Sequence, residues 1–570
     1  MDEPHMLRRG WAMWPKVWTS AFLALGAGAL VPWVAMAFQL QDIEAVESPL
    51  LLAVAHEIEA GPHSLYGPYG GRYPLVLIHA PLYYRLAAVV GWLLYRAGFE
   101  PVVAALAGGR LVSAFGLLVT LAAASMLARL GGMPRRAGTW AALLVAGTPI
   151  FSGVPFEVRP DMLGIGIQTS GILFVLAALA AVPIREARLM GAAACFAVAI
   201  CIKQQYLIAP LLSVVFLTAA QARGRLNVAS IVRFVAVGSG LPLLYYGGEE
   251  WITGGQMSRS VFVAALKVGQ AHPADWLFAA NSVLVLVWKC VGPILLLAAA
   301  GLAMVSARRG RAQRGLVMVG AIVIGAVAAL AVVQFFVARV GISALLTAAL
   351  MIVVAVIIPA CFVIEKSLVG DWLDRALWGY FAAEMVFTTI LWRLSTGGWF
   401  NYAIEAVVIG CVLTARALAR ASERAASWRL LIPAVMAAAA VPAFAWTDVR
   451  QVLRRRDIEA NEMALLLKRV PQPALQIFFV DLPGANRLHG RRGLVYDSWL
   501  YPVFESIDQA EPRSLWLEEE LATGVTRYIA TISSHGKVNG VKRTLPELGY
   551  IRSGRVGPYF LWARLAPATQ

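Results

Sequence analysis

Charged side chains are scarce in this sequence. Asp, Glu, Lys and Arg make up 14% of its 570 residues, against about 25% in an average soluble protein. Hydrophobic residues make up 59%, and the mean hydropathy is +0.69. A chain so poor in charge cannot expose most of its surface to water. The composition therefore excludes an ordinary soluble protein and predicts an integral membrane protein.

Cysteine is also rare, and the signatures of several enzyme classes are missing. The sequence has no HExxH, P-loop or GxSxG motif and no metal-spaced Cys/His set, which weighs against a protease, an ATPase or a lipase. It has no internal repeat, so a transporter built from obvious inverted halves gains no support. An extracellular disulfide framework is not expected, because the five cysteines all fall within or beside apolar segments: Cys195, Cys201, Cys290, Cys361 and Cys411.

Lys and Arg outnumber Asp and Glu by 49 to 33, which gives a net charge of +16. Such an excess can indicate nucleic-acid binding. Here the basic residues cluster in the loops between apolar segments, where the positive-inside rule expects them on the cytoplasmic side. We therefore predict a multi-pass membrane protein with no nucleic-acid partner.

Apolar segments of about 20 residues, long enough to cross a bilayer core of about 30 Å, recur from Val17 to Trp446. The first, residues 17–38, has no small-residue cleavage site and is predicted to be retained as an anchor. With it, thirteen transmembrane helices are predicted; the other twelve are residues 109–128, 138–156, 162–182, 189–202, 206–222, 231–246, 281–305, 317–336, 342–363, 376–392, 402–415 and 430–446.

Residues 80–97 are apolar enough to be a further span, but their charges favour a helix that lies flat on the outer surface. Arg85 and Arg96 are eleven residues apart, which places both on one face of a helix. With this helix flat, all the basic loop clusters fall on the cytoplasmic side. The same count places everything after Thr447 outside the cytoplasm.

The predicted fold class is an α-helical polytopic membrane protein with a small extracytoplasmic α/β domain. Residues 1–446 form the transmembrane module and residues 447–570 the soluble domain. The tail combines an amphipathic basic helix at residues 449–469 with β-rich runs at residues 476–481, 526–532 and 557–565.

The first outer loop carries a carboxylate pair, Asp42 and Glu44, next to the first span. A solvated helix terminus explains such acids structurally. The functional interpretation is a general base, Asp42, with a neighbouring acid that orients an acceptor or holds a divalent metal.

Cations at apolar boundaries are the second candidate group. Arg159 and Asp161 flank a proline in the second outer loop, where Asp161 is either a helix-capping acid or part of a catalytic site and Arg159 suits a phosphate. Lys203 interrupts an apolar stretch, and Lys289 lies inside the eighth predicted span, where it either reaches the surface or meets an anion.

The outer side also carries aromatic residues and a long loop. Arg393 and the run Trp399 to Tyr402, followed by Glu405, form an aromatic-rich turn. Interfacial aromatics alone are expected in any membrane protein. Residues 247–280 are long enough to form a mobile lid over a site.

These residues, in this order, resemble the GT-C superfamily of membrane glycosyltransferases, which includes protein O-mannosyltransferases and the bacterial aminoarabinose transferase that acts on lipid A. The resemblance covers residues 1–446. It consists of the acidic pair, the stretch 66–84, Arg159-Pro160-Asp161, Lys203-Gln204 and Asn401-Tyr402 with Glu405. The chain departs from the mannosyltransferase pattern because Ile43 separates the two acids, and His79-Ala80-Pro81 stands where many relatives look like His-Pro-Pro.

The resemblance implies a bacterial inner-membrane enzyme that moves a sugar from a polyprenyl-phosphate donor to an outer lipid, glycan or protein acceptor. The predicted catalytic residues are Asp42, Glu44 and Asp161, which would also be the metal ligands if a divalent metal is present. Donor phosphate would be bound by Arg159, Lys203, Arg393 and Lys289. Acceptor or sugar would be bound by Tyr66, Arg72, His79, Gln204, Asn401, Tyr402 and Glu405.

One carboxylate base suffices for attack with inversion, because the phosphate leaving group needs little protonation. Two alternatives from other classes are a transporter or flippase of a lipid-linked or anionic solute and a membrane scaffold. The outer acidic loop favours the enzyme, since a carrier needs polar groups that are reachable from both sides.

Overall fold

The computed structural model describes residues 47–66, 77, 79–148, 156–264, 372–394 and 403–424, with separate helical residues between 16 and 37. In the C-terminal part it describes residues 450, 461–462, 464–470, 477–480, 514–523, 526–538 and 541–565. Over these residues the fold is mostly helical, with a small sheet near the C-terminus. This agrees with the predicted fold class.

The main helices before the C-terminal part are α1 (Glu47–Ala60), α2 (Leu82–Arg96), α3 (Pro101–Arg129), α4 (Arg135–Gly147), α5 (Asp161–Ala180), α6 (Glu186–Ile202), α7 (Ile208–Ala222), α8 (Val228–Ile252), α9 (Trp372–Leu394) and α10 (Ile404–Arg424).

Three helices of the described part are long and apolar enough to cross a membrane: Pro101–Gly132, Asp161–Ala180 and Val228–Ile252. They coincide with predicted spans. The predicted spans at residues 281–305, 317–336, 342–363 and 430–446 lie outside the described residues. The number thirteen therefore stays a prediction.

Two predicted boundaries are wrong. The span predicted at residues 138–156 ends as a helix at Gly147, because Thr148 precedes Pro149 and takes an extended conformation, as residues before proline do. The loop predicted at residues 247–280 begins inside α8, which continues to Ile252. Tertiary contacts of Glu249 hold this last turn in helical form.

Small residues let α3 lie close to its neighbours α2 and α5. A Cβ atom added at Gly108 would lie 2.6 Å from the Ala87 carbonyl oxygen of α2. One added at Gly116 would overlap the backbone of Leu163 in α5. Glycine at these positions therefore permits the backbone approach that is common between membrane helices.

The helix ends opposite the outer loops are joined by arginine side chains. Arg416 of α10 is buried, pairs with Asp374 of α9 at 2.5 Å and donates to the Ala128 and Leu130 carbonyls at 3.1 and 2.6 Å. Asp374 also pairs with Arg420. Arg416 and Arg420, both predicted to be cytoplasmic, thus share one acid, and Arg416 also satisfies carbonyls at the C-terminal end of α3.

The C-terminal part contains a four-stranded sheet in the order β1-β2-β4-β3, made of β1 (Ile477–Phe479), β2 (Tyr528–Thr531), β3 (Tyr550–Val556) and β4 (Tyr559–Arg564). The first two strands are parallel and the other pairings are antiparallel. The three predicted β-rich runs contain β1, β2 and β4. The prediction missed β3 and helix α11 (Ser514–Thr523), because neither shows a long apolar pattern.

Candidate functional site

The site is built around the short segment of residues 156–160, which enters α5. Ser113 of α3 donates to the Glu157 and Arg159 carbonyls at 2.6 and 3.1 Å. Val158 packs so closely on α3 that a Cβ atom at Gly109 would lie 2.6 Å from it. These contacts fix the position at which α5 begins with Asp161.

Asp161 and Lys203 form a buried ion pair. The Lys203 ammonium lies 2.6 Å from the Asp161 carboxylate, and each side chain is only 2% exposed. Lys203 directly follows the last residue of α6, and its backbone donates to Ala199 at 2.9 Å. Two residues predicted from the sequence as site members, 42 positions apart, are therefore in direct contact.

Tyr206 contacts the first turn of α5 next to this pair. Its hydroxyl donates to the Asp161 carbonyl at 3.0 Å, and its ring covers Gly164, where a side chain would overlap it. Tyr206 was not predicted as a site residue. Its position next to Asp161 becomes visible only when α6 and the residues after it are packed against α5.

Arg159 adds a second cation. Its guanidinium lies 3.2 Å from the Glu157 carboxylate, is 14% exposed, and interacts electrostatically with Asp161. Together with Lys203 from the end of α6, this segment brings two cations and two acids close to one another.

His79 lies beside the ion pair and is fixed through its backbone. Tyr66 donates to the His79 carbonyl at 2.7 Å, and the Gln204 side chain accepts from Ala80 N–H at 3.1 Å. The ring nitrogen Nδ1 is inaccessible and has no hydrogen-bond partner among the described residues. Burial, followed by the charge of Lys203, lowers the pKa of His79 to about 3, so the ring is neutral at pH 7.

Glu405 begins the first turn of α10 and interacts electrostatically with Lys203. Its acidic neighbour is Glu384, a buried carboxyl in the middle of α9 that interacts with Glu405. Glu384 was missed in the sequence, although an acid within the predicted span at residues 376–392 is itself a functional signal.

The remaining predicted site residues are Arg393 and six residues that the structure does not describe. Arg393 lies in the last turn of α9. The others lie outside the described residues: Asp42, Glu44, Arg72, Lys289, Asn401 and Tyr402. Within the described residues, no group of three or more His, Cys, Asp or Glu side chains is arranged to hold a metal ion.

Arg85 of α2 is partly buried in contacts with its neighbours, whereas Arg96, eleven residues further along the same helix, is exposed. Arg85 pairs with Glu57 of α1 at 2.7 Å and with Glu249 of α8 at 2.6 Å, and it also donates to the Pro62 carbonyl. Arg96 is exposed and lies over the Trp92 ring. Two acids that the sequence scatters over distant segments draw Arg85 inward.

No protein-family model and no curated protein matches the chain. Among solved structures, the chain is similar to ArnT from Cupriavidus metallidurans bound to undecaprenyl phosphate, with 15% identity and a TM-score of 0.47. The match covers 96% of this chain and 98% of that one.

The chain is also similar to an oligosaccharyltransferase of Archaeoglobus fulgidus, with 12% identity and a TM-score of 0.42. That match covers 96% of this chain and 74% of the other. A further structure of this archaeal enzyme, AglB with an inhibitory peptide and a dolichol-phosphate, gives 13% identity, a TM-score of 0.41 and coverage of 98% and 75%.

Proposed function

We propose that the chain is a membrane glycosyltransferase that moves a sugar from a polyprenyl-phosphate donor to an extracytoplasmic lipid, glycan or protein acceptor. The observation that carries the proposal is the buried Asp161–Lys203 ion pair with Arg159 beside it. Charged groups inside an apolar helical bundle are costly, and they persist where a charged ligand is handled.

In the proposed reaction the donor's leaving group is a phosphate, so the main demand is to stabilise the anion that departs. Lys203 and Arg159, which lie next to Asp161, supply positive charge for this anion. We propose that Arg393 and Lys289 also bind the phosphate. Asp161 holds the Lys203 ammonium in place. Its proposed part is therefore to position that cation.

Asp42 is the proposed base that removes the acceptor proton for in-line attack with inversion, while Glu44 orients the acceptor. His79 and Glu405, with Arg72, Asn401 and Tyr402, are proposed to bind sugar or acceptor. Tyr66 and Gln204 act on the backbone of residues 79–80, so we assign them to positioning His79. No step depends on a metal; a divalent ion stays a prediction for Asp42 and Glu44, because Asp161 is engaged with Lys203.

The test compares two variants that each remove the cation of a buried ion pair. Lys203→Met acts in the proposed site, and Arg416→Met acts at the opposite helix ends. Removing one partner of a buried pair typically costs about 3–5 kcal/mol, so both variants are expected to lose thermal stability. Only Lys203→Met should raise the KM for a polyprenyl-phosphate sugar, by at least about tenfold.

The assay uses the full chain purified in detergent, with initial rates measured at a temperature where both variants are folded. Lys203→Arg keeps the cation and should recover part of the donor affinity. Equal KM values in Lys203→Met and wild type would contradict a phosphate role for Lys203. A wild-type protein that transfers no sugar from any polyprenyl phosphate would contradict the proposed function.

A further inference from the structure

Two adjacent tyrosines in the first turn of α2 have the same burial but different partners. Tyr83 and Tyr84 are both 0% exposed, and their rings meet edge to face at 5.1 Å. The Tyr83 hydroxyl bonds to the Gly109 carbonyl at 2.9 Å and to the Ser113 hydroxyl at 2.8 Å. The Tyr84 hydroxyl has no hydrogen-bond partner among the residues that the structure describes.

Tyr84 is directed towards the candidate site. It interacts electrostatically with the Asp161 carboxylate and with the Arg159 guanidinium. A buried hydroxyl without a partner destabilises a fold, because it has given up its hydrogen bonds to water. Such a group in a site is accounted for if a ligand completes its hydrogen bonding.

His79 provides a second, independent observation of the same kind. Its Nδ1 is buried, has no hydrogen-bond partner in the described part of the chain, and interacts with the charges of Lys203 and Asp161. The hydrogen bonds of Tyr66 and Gln204 fix the peptide bond between His79 and Ala80, which anchors the backbone that carries the ring. The His79 imidazole, just before α2, and the Tyr84 hydroxyl, in its first turn, thus both lack a hydrogen-bond partner among the described residues near the Asp161–Lys203 pair.

We infer that the Tyr84 hydroxyl contacts the donor and donates a hydrogen bond to an oxygen of its phosphate, beside Arg159. The inference rests on the proposed function, which it deepens by adding a neutral donor to the phosphate-binding cations. Each phosphate oxygen accepts more than one hydrogen bond, so an O–H donor beside two cations is well suited to it. Burial raises the pKa of Tyr84 above its ordinary value, so the hydroxyl keeps its proton.

Tyr84→Phe and Tyr83→Phe test this as a matched pair, since each removes one buried hydroxyl from neighbouring positions of one helix turn. The full chain is purified in detergent, and the unfolding temperature is measured without ligand. Affinity is then measured for undecaprenyl phosphate, for undecaprenol and for inorganic phosphate. Undecaprenol controls for the lipid tail, and inorganic phosphate shows whether the anion alone suffices.

We expect Tyr84→Phe to weaken undecaprenyl-phosphate binding at least about fivefold, with no loss in unfolding temperature and no change towards undecaprenol. Tyr83→Phe should lower the unfolding temperature, because it leaves Ser113 and Gly109 short of a partner, and should leave affinity unchanged.

If Tyr84→Phe bound undecaprenyl phosphate as tightly as wild type, the inference about Tyr84 would be overturned, but the proposed function would not. A fall in unfolding temperature like that of Tyr83→Phe, without an effect specific to the phosphate, would assign Tyr84 a structural role. A wild-type protein that binds undecaprenol as well as undecaprenyl phosphate would overturn the inference and the proposed donor together.

Discussion

At the scale of the residue, His79 gives the site a stability that depends on pH. Its pKa is about 3 in the folded chain and about 6.5 in an unfolded one, so below pH 6.5 the unfolded state binds the extra proton. The stability contributed by the neutral ring is therefore present above pH 6.5 and is lost as the pH falls towards 3. At pH 5 the loss is about 2 kcal/mol.

The measurement is the unfolding temperature of the protein in detergent at pH 7.5 and pH 5. Wild type and the exposed-site control His63→Gln should lose stability between these two pH values, and His79→Gln should lose less. A pH response in His79→Gln as large as in the control would show that the His79 ring titrates normally.

Asp42 is the residue on which the proposed chemistry depends most. Asp42→Asn keeps size and hydrogen-bonding capacity but removes the basic carboxylate, and losing a general base typically lowers rate by about 10²–10⁴. Donor binding should persist, and Glu44→Gln should cost less unless Glu44 holds a metal. Turnover and donor binding measured in parallel check this, and wild-type turnover in Asp42→Asn would eliminate Asp42 as the base.

The sequence predicts the charged residues of the site better than their partners. Asp161, Lys203 and Arg159 are predicted because a charge at an apolar boundary is costly and therefore visible in the sequence, whereas His79 is predicted from the family resemblance. The contact between Asp161 and Lys203 follows from the pairing of α5 with the end of α6. Tyr84 was missed because a tyrosine near a membrane surface is ordinary until its unpaired hydroxyl is seen.

At the scale of the element, the contact between α3 and α5 determines where Asp161 lies. Gly116→Ala places a Cβ atom against the Leu163 backbone, which cannot rotate away. We expect a loss of about 1–3 kcal/mol from overpacking, together with lower activity, because the first turn of α5 must shift.

Gly240→Ala in α8 is the matched control, since a Cβ atom there meets no atom of the described residues within 4 Å. It should be neutral or stabilise by up to about 1 kcal/mol, because alanine favours a helix over glycine. Thermal unfolding and turnover of both variants check the prediction. Equal effects of the two substitutions would show that the α3–α5 contact is not close in solution.

Element types could be predicted from hydropathy and length, whereas several ends could not. Pro149 shortens α4, a local signal that was present but outweighed by the apolar run. The end of α8 depends on Glu249 meeting Arg85, a contact between residues 164 positions apart. No local pattern contains that information.

At the scale of the whole molecule, the described ion pairs separate into two groups that match the predicted sides. Asp161, Lys203 and Glu405 belong to predicted outer ends of helices, and Asp374 and Arg416 belong to predicted cytoplasmic ends. The prediction of thirteen spans, with α2 lying flat, expects the C-terminal domain outside the cytoplasm.

A reporter fused after Gln570 tests this arrangement. A reporter that is active only outside the cytoplasm should work, and one that is active only in the cytoplasm should not. A second fusion, in the basic stretch at residues 308–314, should give the reverse result. Cytoplasmic activity at Gln570 would contradict the thirteen-span topology.

Arg85 has a practical consequence for protein engineering. Its guanidinium joins three segments, because Glu57 and Glu249 reach it from α1 and α8 while the arginine itself sits one turn into α2. A chimera that imports the first outer segment from another protein must therefore bring an acid to the position of Glu57. Without that acid, Arg85 would keep only one of its two carboxylate partners, Glu249. The unpaired charge would lie in the first turn of α2, next to Tyr84 and shortly after His79. The outer segments therefore cannot be exchanged one at a time. A successful swap has to transfer Glu57, Arg85 and Glu249 together.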